Sequence, residues 1–479
     1  MKVSIAVIWK RVIQMKILLI NPSSSTPENR REYILGIPYL VSVLRANGYF
    51  DIQFRNYFNM QWTETIGLTF EALKDFKPDV VLLSCFTINR IAGFKIAQIV
   101  KEFNPSIKVV MGGMHPSFMY QQILSNTPVD VVCIGEGDRT IVELLNAFKV
   151  NAPLGDVKGI AFKKDGEVFI MGKRPFVKNL DTIPFPAHDL YKDYLIQTGK
   201  AYMIASRGCP FGCQFCSTTE FWGRSWRARS AKNVVDEIEM LLRDYGIKYV
   251  CFLDDEFTLQ KRRTTELCKE MLNRGLKIKW SCSTRVNTFD KEQLEWMIKS
   301  GCDHIALGIE SGSPRILKTI GKKITIEQII NAFDLLKEFK LSRGVYLMVG
   351  NPGEDRESVS ETIQLVRRLE LDVPSVAVAE IYPGTQLFEI ANERGFITDD
   401  YWLTERTPPF FTVEHSAEKL QWWAFLIVLS SKKVQGTLKI LSFLTWFVLS
   451  KEKKIAKYIS RVFKGVIGIK KDRYTYKEY

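Results

Sequence analysis

Cys209, Cys213 and Cys216 stand in the stretch SRGCPFGCQFCST with the spacing C-x3-C-x2-C. Three thiols this close along a chain call for a metal. Structural zinc takes four ligands, and sulfur-rich zinc modules usually bring their cysteines as two C-x2-C pairs; the chain has no second pair. An iron-sulfur cube held by three cysteines instead keeps one iron with an open coordination position, which catalysis by a metal needs. Gly208, Pro210 and Gly212 let the backbone turn sharply enough to aim three sulfurs at one centre. The other six cysteines (Cys85, Cys133, Cys251, Cys268, Cys282 and Cys302) lie in apolar runs and read as small core hydrophobes of a protein in a reducing compartment.

A loop of this kind needs a scaffold, and the residues around it supply one. From Ala201 to about Gly395, six short apolar runs alternate with helical patterns: AYMIAS, KYVCFLD, KIKWSCS, HIALGI, GVYLMVG and SVAVAEI. Six such units predict an incomplete barrel of parallel strands, whose chemistry sits on the loops at the carboxyl ends of the strands. The cysteine loop follows the first run. Asp254, Asp255 and Glu256 follow the second, Arg285 the third, Glu310 and Ser311 the fourth, Gly350 to Glu354 the fifth and Pro383 to Thr385 the sixth.

Upstream, KILLIN, DIQFRNY, DVVLLSC, KVVMGG and DVVCIG are five strands separated by helical patterns, which predicts a doubly wound parallel sheet. Ligands of such sheets lie outside the strands' carboxyl ends, here the loops at Ser84 to Thr87, Gly112 to Ser117 and Gly135 to Arg139. A hairpin turning at Asp165-Gly166 and a Pro-rich linker near Pro184 to Tyr191 follow. The expected class is α/β: an extension over 1–14, a Rossmann-like domain over 15–150, hairpin and linker over 151–195, a partial (β/α)6 TIM-type barrel over 196–399 and a mainly helical region over 400–479.

SRGCPFGCQFC, RARSAKNVVDEIE, FLDDEFT, TRVN, GIESGS, MVGNPGED and YPGT together resemble the radical S-adenosylmethionine (radical SAM) enzymes that carry an amino-terminal cobalamin-binding domain. That family includes carbon and phosphorus methylases, hopanoid methylases and the anaerobic magnesium-protoporphyrin ester cyclase. The resemblance covers roughly residues 15 to 395. It implies a 4Fe-4S cluster on Cys209, Cys213 and Cys216 that passes one electron, drawn from an external donor such as flavodoxin or ferredoxin, to S-adenosylmethionine and yields a 5′-deoxyadenosyl radical. It also implies that Asp254, Asp255 or Glu256 accepts from the S-adenosylmethionine amine, although the glycines usual at that position are absent. Arg285 is expected to pair with the carboxylate, Glu310 and Ser311 to meet the ribose, and Phe215 and the backbone around Gly350 to flank the adenine. In the first domain the resemblance places cobalamin against Ser84, Thr87, Gly112, Gly113, His115, Gly135, Glu136 and Gly137. The loop that carries a cobalt-ligating histidine in many cobalamin domains reads NPSSSTPENRREYILG here, with no histidine, so cobalt is expected to lack a protein imidazole. His115 is expected as a polar contact at the pocket rim, and His188, His304 and His415 as structural residues.

The formal charge of +14 is uneven: Asp400 to Tyr479 carries 15 Lys and Arg against 7 Asp and Glu. In that segment LQWWAFLIVLSS and TLKILSFLTWFVLS are too short to span a bilayer. Trp422, Trp423, Phe425, Trp446 and Phe447 beside Lys432, Lys433, Lys451, Lys453 and Lys454 suit either helices lying in a membrane interface or helices packed onto the barrel. The expected protein is a cytoplasmic enzyme, peripheral to the inner face of the membrane in the first of those readings, that methylates an unactivated carbon of a small molecule or lipid. An oxidative, ring-forming enzyme is the alternative. A non-catalytic basic protein with a structural metal is disfavoured, since the positive charge follows no nucleic-acid-binding motif. Transfer-RNA methylthiotransferases also fit poorly, because residues 15–150 offer only Cys85 and Cys133.

Overall fold

The computed structural model describes residues 15–24, 33–339 and 341–435. They fall into two compact units, one made of residues up to 24 and 36–174, the other of residues up to 35 in the intervening loop and 175 onward.

The first unit is a seven-stranded sheet in the order β2-β1-β3-β4-β5-β6-β7. β1 (Ile17–Asn21), β2 (Ile52–Asn56), β3 (Val80–Ser84), β4 (Lys108–Gly112) and β5 (Val131–Cys133) are parallel; β6 (Ile160–Lys164) and β7 (Glu167–Met171) are antiparallel. The central strands are apolar throughout because both faces are covered: every residue of β1 is buried, as are Val80 to Leu83 of β3. Helices 36–46 and 137–149 pack on each other, as do 62–76 and 90–103. The order reverses at the neighbours β1 and β3, a switch point at which carboxyl-terminal loops diverge and leave a crevice. The hairpin turns where expected, with Asp165 and Gly166 both at positive φ (52° and 87°), as a two-residue reverse turn requires. It extends the first sheet rather than standing apart from it.

The second unit holds six parallel strands in sequence order: β8 (Lys200–Met203), β11 (Tyr249–Phe252), β12 (Lys279–Thr284), β13 (Cys302–Glu310), β14 (Ser342–Val349) and β15 (Ser375–Val378). The short antiparallel pair β9 (Ser206–Arg207) and β10 (Arg227–Ala228) brackets the cysteine loop. This is the partial barrel. Alternate residues such as Val250, Phe252, Trp280, Cys282, Ile305, Leu307 and Ile309 are buried under the helices. The residues between them, among them Cys251, Ser281 and Gly308, face the concave side and are half-buried. Helices start where the sequence places a short polar side chain: Ser230, Asp290, Thr325, Asp355, Thr385 and Ser416 each accept from a backbone N–H of the first turn. Each such cap contributes about 1 kcal/mol and fixes where a strand-to-helix loop must end.

Helix 417–429 packs on β14, β15 and helix 356–368. Leu420, Trp423, Ala424, Ile427 and Val428 form its buried side. No helix among the described residues is long and apolar enough to cross a membrane. Trp446, Phe447, Lys451, Lys453 and Lys454 lie outside the described residues, as does the expected extension over 1–14.

Candidate active site

The cysteine loop is held by its backbone. Gly208 has φ +91°, and a Cβ there would run into the Ser225 carbonyl oxygen, so no other residue fits. Its N–H donates to Asp255 Oδ2 (3.0 Å). Farther on, Gln214 donates its N–H to the Ile320 carbonyl (3.0 Å), and its own carbonyl accepts from the Leu387 N–H (3.1 Å). Gly321 sits so close that a Cβ would stand 2.8 Å from the Gly212 oxygen. Cys209, Cys213 and Cys216 are half-buried within this frame, as is Phe215. Burial pushes the Cys209 thiol up to about 12, and Glu256 and the two neighbouring thiols push the same way. A bound cation is what would make it a thiolate near neutral pH.

The three acids after β11 have separate tasks. Asp254, 4% exposed, accepts from the Ala205 N–H (3.0 Å) and the Ser206 hydroxyl, which fastens the start of the loop. Asp255 fastens Gly208; although its side chain reaches solvent, desolvation by the surrounding loops, with Asp254 and Glu256 beside it, raises its carboxyl to about 6. Glu256 is 1% exposed; its Oε1 accepts from Thr284 and from Thr288 (2.9 Å), with Thr258 at 3.4 Å, while its Oε2 is buried with no partner. Burial raises Glu256 too, against the pull of those hydroxyls. Of the three, Glu256 alone has a buried carboxyl oxygen without a partner, whereas Asp255 is the exposed one.

Arg285 is 4% exposed and lies over the Phe211 ring, 3.8 Å from its centroid. It donates to the Lys322 carbonyl, with Cys213 Sγ at 3.7 Å and Asn287 Oδ1 at 3.4 Å. Instead of standing open as a fork, it is wedged between the cysteine loop and the 320–322 turn. Glu310 ends β13 at φ +62°, beyond a register shift, and pairs with Lys322 Nζ (2.9 Å). A non-glycine residue held there is strained, as are six others among the described residues. Ser311 is fully buried and accepts from the Ser313 N–H (3.1 Å). Gly350, at φ +87°, donates to the Glu354 carboxyl, whose pKa burial raises to about 7. Sequence reasoning missed Lys322 and took Asn351 only as part of the Gly350 to Glu354 loop. Lys322 is one of two adjacent lysines in a turn, a pattern that reads as solvated, yet its side chain is 7% exposed. Asn351 is 2% exposed, and neither polar atom of its side chain has a partner.

In the first unit the expected loops line up at the carboxyl ends of β3, β4 and β5. Gly113 has φ +112°, and a Cβ would strike the Cys85 carbonyl oxygen. Ser117 Oγ donates to the Gly113 oxygen (2.7 Å) and accepts from the Gly135 N–H (2.9 Å), tying two of the loops together. Gly135, at φ +75°, has no heavy atom within 4 Å of where its Cβ would be, so it faces open space. Gly137 opens helix 137–149 against Leu40, with Glu136 buried before it. Ser84 and Gly112 are half-buried, and Thr87 is buried with its hydroxyl 3.2 Å from His115 Nδ1. His115 is 1% exposed, so its ring lies within the unit and not at an exposed rim; burial, with Arg90 nearby, holds it neutral. Residues 25–32 of the first strand-helix loop lie outside the described residues.

The remaining histidines hold structure. His188 bridges the Tyr33 hydroxyl and Glu237 Oε1 (2.7 Å), and Arg229 meets the other oxygen of Glu237 at 2.5 Å. His304 meets Ser342 Oγ (2.9 Å), and His415 Nε2 meets the Glu354 carbonyl (2.6 Å).

Residues 203–366 match the family described as the Radical SAM superfamily, and residues 31–145 match the B12 binding domain. An uncharacterized methyltransferase of Pyrococcus horikoshii is 35% identical over 84% of this chain and 88% of its own length. The chain belongs to the cobalamin-binding radical SAM enzymes. The anaerobic magnesium-protoporphyrin IX monomethyl ester cyclase of Rubrivivax gelatinosus is 32% identical over 76% of this chain and 67% of its own. The structure of TsrM, a radical SAM methyltransferase from Kitasatospora setae solved with cobalamin and a [4Fe-4S] cluster, has the same fold: TM-score 0.68 at 18% identity, over 79% of this chain and 75% of that one.

As a radical SAM enzyme with a B12-binding domain, the protein uses a 4Fe-4S cluster, S-adenosylmethionine and cobalamin. Its described residues fit these groups. No three His, Cys, Asp or Glu side chains among them converge on a point that a single metal ion could occupy. A radical SAM cluster does not require that, since it spreads three thiolates over three irons. The unpartnered Glu256 Oε2 matches a ligand carrying hydrogen-bond donors, and the open cradle at Gly135 matches a ligand that approaches backbone closely.

Proposed function

We propose that this radical SAM enzyme transfers a methyl group through cobalamin to an unactivated carbon of a small-molecule or lipid substrate. The observation that carries the reading is the length over which the methyltransferase of Pyrococcus horikoshii corresponds, 88% of that protein, against 67% of the cyclase. Bound together, the cluster and S-adenosylmethionine supply a carbon radical and cobalamin supplies methyl transfer; the protein binds, orients and excludes water.

The residue assignments belong to this proposal. Cys209, Cys213 and Cys216 hold the cluster. Glu256 accepts from the S-adenosylmethionine amine through Oε2, while Asp254 and Asp255 keep the loop in place. Arg285 and Lys322 supply positive charge for the carboxylate, and Glu310, freed from Lys322, takes the ribose hydroxyls. Phe215 and the backbone around Gly350 flank the adenine, with Ser311 supporting the β13 loop. Ser84, Thr87, Gly112, Gly113, Gly135, Glu136 and Gly137 line the cobalamin cradle, and His115 braces Thr87 from beneath. Residues 15–150 form the cobalamin half and 196–399 the radical half. An external one-electron donor, flavodoxin or ferredoxin in class, completes the system.

Peripheral membrane contact would suit a lipid substrate. Trp423, however, is 4% exposed and edge-on to His415, so it supports packing instead; Trp422, 38% exposed, still supports contact. Anionic liposomes should carry the intact protein at low salt, and failure to float would leave a soluble small molecule as the substrate class.

The test of the reaction type is mass spectrometry of anaerobically reconstituted protein with S-adenosylmethionine and cobalamin. 5′-Deoxyadenosine together with S-adenosylhomocysteine is the expected pair. 5′-Deoxyadenosine alone would move the protein to the cyclase-like class.

A further inference from the structure

Arg285 makes contacts that recognition of a carboxylate does not explain. Its guanidinium covers the face of Phe211, inside the cysteine loop, and one terminal nitrogen stands 3.7 Å from Cys213 Sγ. The other terminal nitrogen donates to the Lys322 carbonyl, and Nε is 3.4 Å from Asn287 Oδ1. Asn287 lies two residues along its own loop, and Lys322 lies in the turn whose Ile320 carbonyl accepts from Gln214. The charge is therefore held against one cysteine of the loop from three sides and is 4% exposed.

We infer that Arg285 sets the reduction potential of the cluster by holding a fixed positive charge and a hydrogen-bond donor at the Cys213 sulfur. This rests on the assignment of the cluster to Cys209, Cys213 and Cys216. Reduction adds one electron from a low-potential donor to the oxidised cube, [4Fe-4S]2+ + e− → [4Fe-4S]1+, with no proton or leaving group. The added negative charge is stabilised by a nearby cation and by donors to the sulfurs, so Arg285 moves the potential upward. The site favours arginine over lysine. A guanidinium does not lose its proton in a protein, it lies flat on an aromatic face, and it can donate to a carbonyl and a sulfur at once. A lysine tip can keep the charge but not the plane.

The test is an equilibrium redox titration of the full-length, anaerobically reconstituted protein without S-adenosylmethionine. Dithionite or titanium(III) is the donor, and the paramagnetic reduced cluster is the readout. Leaving out S-adenosylmethionine separates the potential from any part Arg285 plays toward the carboxylate. Arg285→Gln is expected to keep its iron and sulfide and to titrate at a more negative potential. At the wild-type midpoint, its ratio of reduced to oxidised cluster should fall about tenfold, equivalent to about 59 mV for a one-electron couple. Arg285→Lys should shift in the same direction by less. A merely structural clamp would alter cluster content and leave the midpoint of the remaining cluster in place, so full iron with a wild-type midpoint in Arg285→Gln overturns the proposal. If Arg285→Gln retains little iron, Arg285→Met, also uncharged, is titrated on whatever cluster it holds: a midpoint negative of wild type supports the proposal, and an unchanged one overturns it. Wild-type protein with no reducible cluster would instead overturn the cluster assignment itself, an outcome visible before any variant is made.

Discussion

The two parallel sheets build their ligand-binding ends from opposite materials. In the first, strands such as β1 and β3 are buried on both faces, and their carboxyl-terminal loops offer glycine, backbone and short hydroxyls. In the second, strands alternate between a face under the helices and a half-exposed concave face, and their ends carry Asp254, Asp255, Glu256, Arg285 and Glu310. On the proposed assignment the first site would work by what is missing, since a large flat ligand needs backbone at close range. The second works by charge held in a dry place, where an unpaired polar atom is costly until a ligand answers it. Adding a methyl group should therefore break one, and removing a functional group the other.

The largest effect is expected at the loop sulfurs. Cys209→Ala, Cys213→Ala or Cys216→Ala should each abolish S-adenosylmethionine cleavage and most of the bound iron. Full cluster content in the triple variant, measured as iron and sulfide, would sink the assignment.

Next comes the buried carboxyl behind Gly350. Burial holds the Glu354 carboxyl up at about 7, above the ordinary glutamate range near 4.5. Below about pH 4.5 both the native and unfolded states hold the proton. Between there and pH 7 the native state holds more, so stability is lost as pH rises through about 7. The span corresponds to at most about 3 kcal/mol. Glu354→Gln keeps an acceptor oxygen for Gly350 and Asn351 and should flatten the fall seen in denaturation midpoints between pH 5 and 8. A wild-type pH profile in that variant would show that the carboxyl does not carry the effect.

Glu256→Gln should leave iron content unchanged and weaken S-adenosylmethionine binding by about 1.5–3 kcal/mol, roughly 10- to 100-fold in Kd, because a charged acceptor is replaced by a neutral amide. Equilibrium dialysis checks this. Unaltered affinity would return the choice to Asp254 or Asp255.

The smallest change tests the first sheet. Gly135→Ala should cost only about 1–2 kcal/mol of stability, from its left-handed backbone, yet lower cobalamin affinity at least tenfold, read from the absorbance of the bound corrin. His115→Ala should leave the cob(II)alamin paramagnetic spectrum without any nitrogen splitting to lose. A nitrogen triplet in the wild type that disappears in His115→Ala would make that residue a cobalt ligand and contradict the contrast between the sheets.

Much of this architecture was legible because parallel strands need long apolar runs and the connections between them need helices. The eleven strands of the two parallel sets, the hairpin turn at Asp165-Gly166 and the placing of the cysteine loop after the first barrel strand follow from local patterns of residue type. The division of labour among Asp254, Asp255 and Glu256 was not legible. Three adjacent carboxylates look alike until the fold lets Ala205, Ser206 and Gly208 claim two of them. Lys322, and the burial of the Asn351 side chain, were invisible for a related reason, since a polar residue in a turn is ordinarily solvated and only its surroundings reveal that it is buried. For Trp423 the sequence allowed both membrane contact and packing, because its neighbours are apolar and basic; its helix packs on β14 and β15 and its ring meets His415.

The sequence by itself determined the two parallel sheets and the strand ends that carry the three-cysteine loop, the acids and Arg285, because period and turn chemistry act over a few residues. Only the tertiary structure decided which carboxylate stays unpaired, that Arg285 turns toward Cys213 and that Lys322 reaches Glu310. Those outcomes depend on which side chains from distant segments share a space closed to water, and no short stretch of the chain records that.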